Sequence, residues 1–260
     1  MSEGKWSDLA TRIVSTIVLV AIAAVELWLG GFWFESFIAA ACGVMIWELV
    51  RIIAPEKSRE AVHLGVLTGF AVLLSYHLPM IFRLPVLLAP VLVGAGQMPA
   101  RKGLYALFAL WISAAGLGFI SIRLNMGFGW MLWLVGVVVA TDVAGYFVGK
   151  SIGGRKFWPR VSPKKTWAGI VGGWVAAALV GTVVAMQAGF GLAFVLVSVL
   201  ASMASQAGDM AESALKRKCH VKDSSNLIPG HGGFLDRFDG MMGAALFVLI
   251  AGLIYAPGPM

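Results

Sequence analysis

A polar stretch in the last fifth of this chain contains the residue types best suited to chemistry. It combines cations, carboxylates, a histidine and paired glycines, namely Ser213, Lys216, Arg217, Lys222, Asp223, His231, Gly232, Gly233, Asp236, Arg237 and Asp239. Long apolar segments lie on both sides of it. Because charged groups beside a membrane are costly unless something balances them, such a cluster predicts a polyanionic substrate, a metal ion, or both.

The carboxylates of this region are spaced as metal ligands on helices could be. Asp209 and Glu212 are three residues apart, as are Asp236 and Asp239, so each pair shares one face of a predicted helix. Proteins usually hold Mg²⁺ through one or two carboxylates together with substrate phosphates. We therefore expect these four acids, from two helix ends, to converge on one Mg²⁺ centre. The alternative for Glu212 is an ion pair with Lys216 on a solvated helix end.

Asp142 is a further candidate, because it lies inside an apolar segment. A charge at membrane depth is expensive and therefore marks a functional site by default. The alternative is an ion pair with a lysine or arginine of a neighbouring helix. We include Asp142 among the predicted metal ligands.

The segment 162–166 predicts a helix start that binds phosphate. Ser162 is a favourable N-cap and Pro163 a favourable first helical residue, which would place Lys164 and Lys165 in the first turn before Thr166 continues it. Lysines oppose the helix dipole there, so an anion at the helix N-terminus would explain them. The alternative is simple anchoring to anionic lipids.

The glycine pair and the histidine complete the set of candidates. Gly232 and Gly233 would allow the backbone to approach a phosphate closely. His231 either contacts the substrate or makes a structural hydrogen bond. Gly145–Ser151 resembles a P-loop, but its spacing is one residue short and it ends an apolar helix, so we reject that interpretation.

Composition shows which elements must position these residues. Hydrophobic residues make up 59% of the chain and charged residues 13%, which is too apolar for a soluble α/β domain of 260 residues. The apolar runs are continuous and do not alternate, so they predict helices. We predict an all-α, polytopic membrane helix bundle with nine spans, at about 12–30, 33–53, 61–78, 84–99, 103–122, 128–149, 166–187, 190–211 and 238–256. The spans at 61–78 and 84–99 are the weakest, since they are short and carry His77, Pro85 and Pro90.

The basic residues predict the orientation. With nine spans, 18 of the 20 lysines and arginines fall on one side, and only Arg83 and Arg123 on the other. The positive-inside rule then predicts a cytoplasmic N-terminus and a cytoplasmic active site. A net charge of +7 suits an anionic membrane surface, and no motif indicates nucleic-acid binding. Cys42 and Cys219 predict neither a disulfide nor a zinc site. Small-residue pairs, such as those within 145–149, 169–173 and 201–205, predict close helix packing.

The polar stretch resembles the signature of the phosphatidate cytidylyltransferases, or CDP-diacylglycerol synthases. Their pattern S-x-x-K-R, four residues, K-D and then P-x-H-G-G-x-x-D-R-x-D is present from Ser213 to Asp239 with its spacing intact. Segments similar to the family's D-x-x-A/G-Y and S-P-K-K-T occur at Asp142 and Ser162. The resemblance is specific over about 140–240, while the first half fits only in hydropathy.

The resemblance implies a reaction and a set of roles. CTP and phosphatidate would give CDP-diacylglycerol and diphosphate, with Mg²⁺ as cofactor. The implied catalytic residues are Asp209, Lys216, Arg217, Lys222, Asp223, His231, Asp236 and Arg237. Substrate binding would fall to Ser162, Lys164, Lys165, Thr166, Ser213, Gly232 and Gly233, and the metal to Asp209, Asp236, Asp142, Glu212 and Asp239.

The resemblance also implies a homodimer among lipids, in the cytoplasmic membrane of a bacterium. Residues 1–125 would form scaffold, lipid and dimer contacts, and residues 126–260 the catalytic half. Two other functions stay open at this point. A CTP-dependent polyprenol kinase would need a base near the substrate hydroxyl, and a transporter of anionic solutes would need a polar path across the bilayer.

Overall fold

The protein is a bundle of long helices with one small hairpin. A computed structural model describes residues 3–255, with side chains from 11 to 254, so residue 256 of the last predicted span and the side chain of Lys5 lie outside the described residues. The described elements are α1 (Glu3–Leu29), α2 (Gly31–Ile53), α3 (Ser58–His77), α4 (Met80–Gln97), α5 (Lys102–Ser121), a π-helical turn (Ile122–Met126), α6 (Phe128–Ser151), β1 (Lys156–Trp158), β2 (Ser162–Thr166), α7 (Trp167–Ala188), α8 (Ala193–Lys218) and α9 (Leu235–Tyr255). The predicted all-α membrane bundle is confirmed, with the β1–β2 hairpin as an addition.

Eight of these helices are long and apolar enough to cross a membrane. The exception within the described range is α3, which begins with polar residues that include Arg59, Glu60 and His63. The weak prediction at 61–78 is therefore a helix, but not one that qualifies as a span by composition. The other weak prediction, α4, runs as one continuous helix through Pro85 and Pro90 and does qualify.

The predicted close packing of small residues is confirmed between α6 and α7. A Cβ atom added at Gly169 would come 2.5 Å from the carbonyl oxygen of Gly145 and 3.3 Å from the Cα of Gly149. A Cβ atom added at Gly173 would come 2.7 Å from Gln206 Nε2 and 2.9 Å from Thr141 Cγ2. The two helix backbones therefore touch, as small residues allow in membrane bundles. This contact fixes the distance between α6 and the hairpin that leads into α7.

The helix predicted to begin after an N-cap at Ser162 begins four residues later, after Thr166, so that prediction is wrong. Ser162–Thr166 is an extended strand paired with β1, in the register Lys156 to Thr166 and Trp158 to Ser162. Thr166 is the N-cap instead: its φ of −113° and ψ of 156° are extended, and its Oγ1 accepts the Gly169 N–H at 3.2 Å. Pairing with β1 holds the backbone of 162–166 extended, which local capping preferences alone cannot reveal. The dipole argument for the two lysines no longer applies.

Candidate active site

The hairpin and the ends of α6, α7 and α8 enclose a basic cavity of about 660 Å³. Its wall includes four lysines and two carboxylates, which are Lys150, Lys156, Lys164, Lys165, Asp142 and Asp209. Lys165 pairs directly with Asp209, so strand β2 is tied to the face of α8. The predicted P-loop lookalike is part of helix α6, and its glycines and Lys150 line the same wall. The cavity therefore presents a cationic surface with acids at one side.

Two carboxylates, Asp142 and Asp209, line the cavity, and Asp239 lies near them. Asp142 and Asp239 each experience the charge of Asp209. Within the described part of the chain, Asp142 forms no ion pair, so the alternative of a paired structural aspartate is not observed. The Oδ1 atom of Asp239 accepts the N–H of Gly240 at 2.7 Å. Lys165 pairs with Asp209 and lies near Asp142, and Lys216 lies near Asp239.

A second group of charges lies farther along α8. The Nζ of Lys216 is 2.6 Å from Glu212 Oε2 and 2.7 Å from Asp236 Oδ1, and only 15% of its side chain is exposed. The alternative pairing of Glu212 with Lys216 is thus confirmed, although Glu212 is fully buried and not at a solvated helix end. Buried pairs of this kind are costly to break because they leave an uncompensated charge.

The Asp236 carboxylate is held by the loop that precedes α9. Its Oδ2 atom accepts the N–H and hydroxyl of Ser224 at 2.9 and 2.8 Å, and the N–H of Gly233 at 2.7 Å. Gly232 has a φ of +84°, and a Cβ there would lie 2.7 Å from Asp236 Oδ2. The two glycines therefore leave room for an internal carboxylate, where the sequence predicted a substrate phosphate.

Glu48 of α2 caps the same loop from the other side. This fully buried carboxylate accepts the N–H groups of Phe234 and Leu235 at 2.8 and 2.7 Å. It also accepts the hydroxyls of Ser225 at 2.6 Å and Ser224 at 3.3 Å. Since Leu235 is the first residue of α9, Glu48 occupies the anion position at that helix N-terminus.

His231 contacts the first helix. Its Nδ1 is 2.9 Å from Ser15 Oγ and its Nε2 is 3.2 Å from Thr16 Oγ1, so both ring nitrogens face hydroxyls of α1. Arg237 donates from Nε and Nη2 to the His231 carbonyl at 3.0 and 2.8 Å. The structural hydrogen bond that was the alternative for His231 is observed, and Arg237 supports the same turn.

The remaining predicted residues are distributed around these groups. Ser213 Oγ donates to Asp209 at 3.4 Å, and Arg217 reaches from α8 to the Val161 carbonyl of the hairpin at 3.5 Å. Lys222 and Asp223 are exposed on the loop. Ser162 is half-buried in β2, outside the cavity lining.

The acids predicted to bind metal are divided between the two groups. In the described range, no three acidic, histidine or cysteine side chains are closed into a metal site. Asp236 and Glu212 are occupied by Lys216, because the ammonium lies between them. Asp142 and Asp209 line the cavity and Asp239 lies near them. Asp209 is paired with Lys165, and the carboxylate oxygens of these three residues are the donor type that a hard divalent cation such as Mg²⁺ takes.

Sequence reasoning missed Glu48, Ser15 and Thr16, all from the first half of the chain. Glu48 carried a usable signal, since it is a carboxylate inside an apolar span, as Asp142 is. The hydroxyls of Ser15 and Thr16 carried none, because such residues are common in membrane helices.

Comparison with known proteins gives the same assignment as the signature. The profile of the cytidylyltransferase family matches residues 10–255. The chain is 36% identical to the phosphatidate cytidylyltransferase of Brucella suis biovar 1 (strain 1330) over 260 residues, which cover 96% of this chain and 95% of that protein. It is 33% identical to the enzyme of that name from Bacillus subtilis (strain 168), covering 90% and 94%, and 32% identical to that of Pseudomonas aeruginosa PAO1, covering 96% and 98%. With the profile matching almost its whole length, this chain belongs to the cytidylyltransferase family.

Proposed function

We propose that this protein is a phosphatidate cytidylyltransferase, which converts CTP and phosphatidate to CDP-diacylglycerol and diphosphate. The observation that carries the proposal is the basic cavity, which brings four lysines together with Asp142 and Asp209. Relatives of similar length carry this name, and the signature from Ser213 to Asp239 is intact.

The reaction joins two polyanions. A phosphate oxygen of phosphatidate attacks the α-phosphorus of CTP, a new P–O bond forms, and the bond to the β-phosphate breaks to release diphosphate. The nucleophile is already anionic, so no serine nucleophile or strong base is needed. Charge neutralisation and positioning therefore supply most of the catalysis.

The residues of the cavity fit these tasks. Lys150, Lys156, Lys164 and Lys165 offset phosphate charge at its wall. Asp142, Asp209 and Asp239 would hold Mg²⁺, which when bound supplies positive charge to the phosphate oxygens. Lys216 and Asp236 form an ion pair between α8 and α9, and Lys222 is exposed on the loop between these helices.

We further propose that the enzyme resides in the cytoplasmic membrane with the cavity facing the cytoplasm, and that it works as a homodimer. The basic residues of 150–165 and of 216–237 support the orientation, because the hairpin and the end of α8 contact each other at the same end of the bundle. Cross-linking in native membranes tests the dimer, and a strictly monomeric mass would contradict it.

The assay that tests the function measures the transfer of a labelled phosphorus atom from CTP to the lipid. Purified protein is incubated with phosphatidate and CTP labelled at either the α- or the γ-phosphorus, with and without Mg²⁺. We expect the α-label alone to enter the lipid, and only with Mg²⁺. Transfer of the γ-label to an added polyprenol would instead identify a kinase, and absence of any labelled lipid would refute the proposal.

A further inference from the structure

The contacts of Glu48 join the two halves of the molecule at the signature loop. Residue 48 belongs to α2, whereas its four hydrogen-bond donors belong to residues 224–235. Within the described part of the chain, all hydrogen bonds of the Glu48 side chain go to this loop, more than 170 positions away in the sequence. Glu48 is therefore placed to control the conformation of the loop.

The bonds of Glu48 lead directly to the charged network of α8. Ser224 donates its hydroxyl to both Glu48 and Asp236, and Asp236 in turn holds Lys216. A Cβ added at Gly233 would lie 1.9 Å from Ser224 Oγ and 2.3 Å from Glu48 Oε1, so the loop closes tightly around the carboxylate. Movement of Glu48 would therefore change the hydrogen bonds that orient Asp236.

The charge of Glu48 matters as well as its shape. All four of its partners are donors, and two are the N–H groups at the start of α9. A carboxylate accepts from all of them, while a glutamine amide would turn a donor toward donors. If a neutral side chain replaced Glu48, the loop would lose at least one hydrogen bond and, with it, its fixed conformation.

We infer that Glu48 is a positioning residue of the active site, whose carboxylate holds the 224–235 loop so that Asp236 and Lys216 are correctly oriented. This inference rests on the proposed function. It assigns to α2 a part in catalysis without contact between Glu48 and either substrate.

The test compares Glu48→Gln with Glu35→Gln in the full-length protein in detergent. Glu35 is a matched control, because it is a buried acid of the same helix that binds His77 at 2.6 Å and not the loop. Two quantities are measured: amide hydrogen exchange of peptides within 224–238, and kcat and KM for CTP and phosphatidate.

For Glu48→Gln we expect exchange within 224–235 to rise about tenfold or more, and kcat to fall at least about tenfold with both KM values within about threefold. Glu48→Asp keeps the charge, so its hydrogen exchange and its kcat should both lie between those of Glu48→Gln and the wild type. Glu35→Gln should match the wild type. Normal kcat in a folded Glu48→Gln protein, or a reduced kcat without faster exchange, would overturn the inference.

A second variant covers the case in which Glu48→Gln does not fold. Ser225→Ala removes one donor and leaves the carboxylate with three, and it should produce the same two changes to a smaller degree. Unchanged exchange and kcat in both Ser225→Ala and Glu48→Asp would refute the inference. If the wild type itself makes no CDP-diacylglycerol, the proposed function fails, and exchange alone still decides whether Glu48 holds the loop.

Discussion

Asp209 and Asp236 are both predicted metal ligands, but their surroundings differ. Asp209 lines the cavity, with Asp142 and Asp239 as acidic neighbours. Asp236 is 5% exposed, and both its oxygens are bonded to Lys216 or to the loop. At the residue scale, therefore, the Asp209 carboxylate reaches the cavity, where it pairs with Lys165, and the Asp236 carboxylate is used to build the loop.

This difference predicts different defects in the two asparagine variants. Both Asp209→Asn and Asp236→Asn should lower kcat at least about 100-fold, since each removes a charge on which the site depends. Binding of Mn²⁺, followed by electron paramagnetic resonance as a substitute for Mg²⁺, should weaken about tenfold or more in Asp209→Asn and remain near normal in Asp236→Asn. Hydrogen exchange of 224–235 should rise only in Asp236→Asn.

The control for these variants is Glu60→Gln, which removes an acid of α3 that forms an ion pair with Lys57. It should retain wild-type activity. Near-normal turnover in Asp236→Asn at saturating Mg²⁺, or unchanged Mn²⁺ affinity in Asp209→Asn, would contradict the assignments.

The β1–β2 hairpin is the element that brings lysines to the cavity. Lys156 comes from β1, and Lys164 and Lys165 come from β2, which runs directly into the N-cap Thr166 of α7. The ion pair of Lys165 with Asp209 and the bond from Arg217 to Val161 attach this hairpin to α8. A short hairpin thus closes a cavity that helices alone would leave open.

Replacing both Lys164 and Lys165 with Gln tests this role of the hairpin. We expect the KM for CTP or phosphatidate to rise about tenfold or more, or kcat to fall comparably, because two charge-assisted contacts are lost. Lys→Arg at the same positions should be partly tolerated, since lysine acts here as a point charge. Steady-state kinetics in neutral detergent measure KM and kcat for the Gln and the Arg variants.

The matched control removes the same charge elsewhere. Arg101→Gln with Lys102→Gln neutralises two exposed cations at the start of α5, outside the cavity lining. This control variant should have the KM and kcat of the wild type. If the 164/165 variant also had wild-type constants, the lysines would serve only as a membrane anchor.

At the scale of the whole molecule, the polar groups of the site gather at one end of the bundle. The hairpin after α6 and the end of α8 contact each other, while the turn near Gly189 lies at the opposite end of α7. The first half of the chain also reaches this site, through Glu48 of α2 and the hydroxyls of α1. The helices of both halves therefore contribute to one face.

Cysteine labelling tests whether this face of the bundle lies on the cytoplasmic or the outer side of the membrane. In a background with Cys42→Ala and Cys219→Ser, a cysteine at Lys156 or Ser224 should react only with reagents from the cytoplasm, and one at Gly189 only from outside. Because Ser224 is buried in the loop, Lys222 provides a second, exposed position there. Reaction of all positions from one side, or the reverse pattern, would refute the orientation.

The sequence by itself determined the class of fold, the helices and the chemical character of the site. Apolar runs of membrane length leave the chain few alternatives to a helix bundle, because backbone groups must be paired within lipid. The signature from Ser213 to Asp239, with its fixed spacing, identified the family.

Only the tertiary structure decided how the charged residues of the site are paired. Ser162–Thr166 became a strand through pairing with β1, His231 turned to α1, and Gly232 and Gly233 closed around Asp236. Glu48 capped α9 across 187 residues of sequence. Each outcome depends on contacts between segments distant in the chain, and local spacing and capping preferences contain no information about such partners.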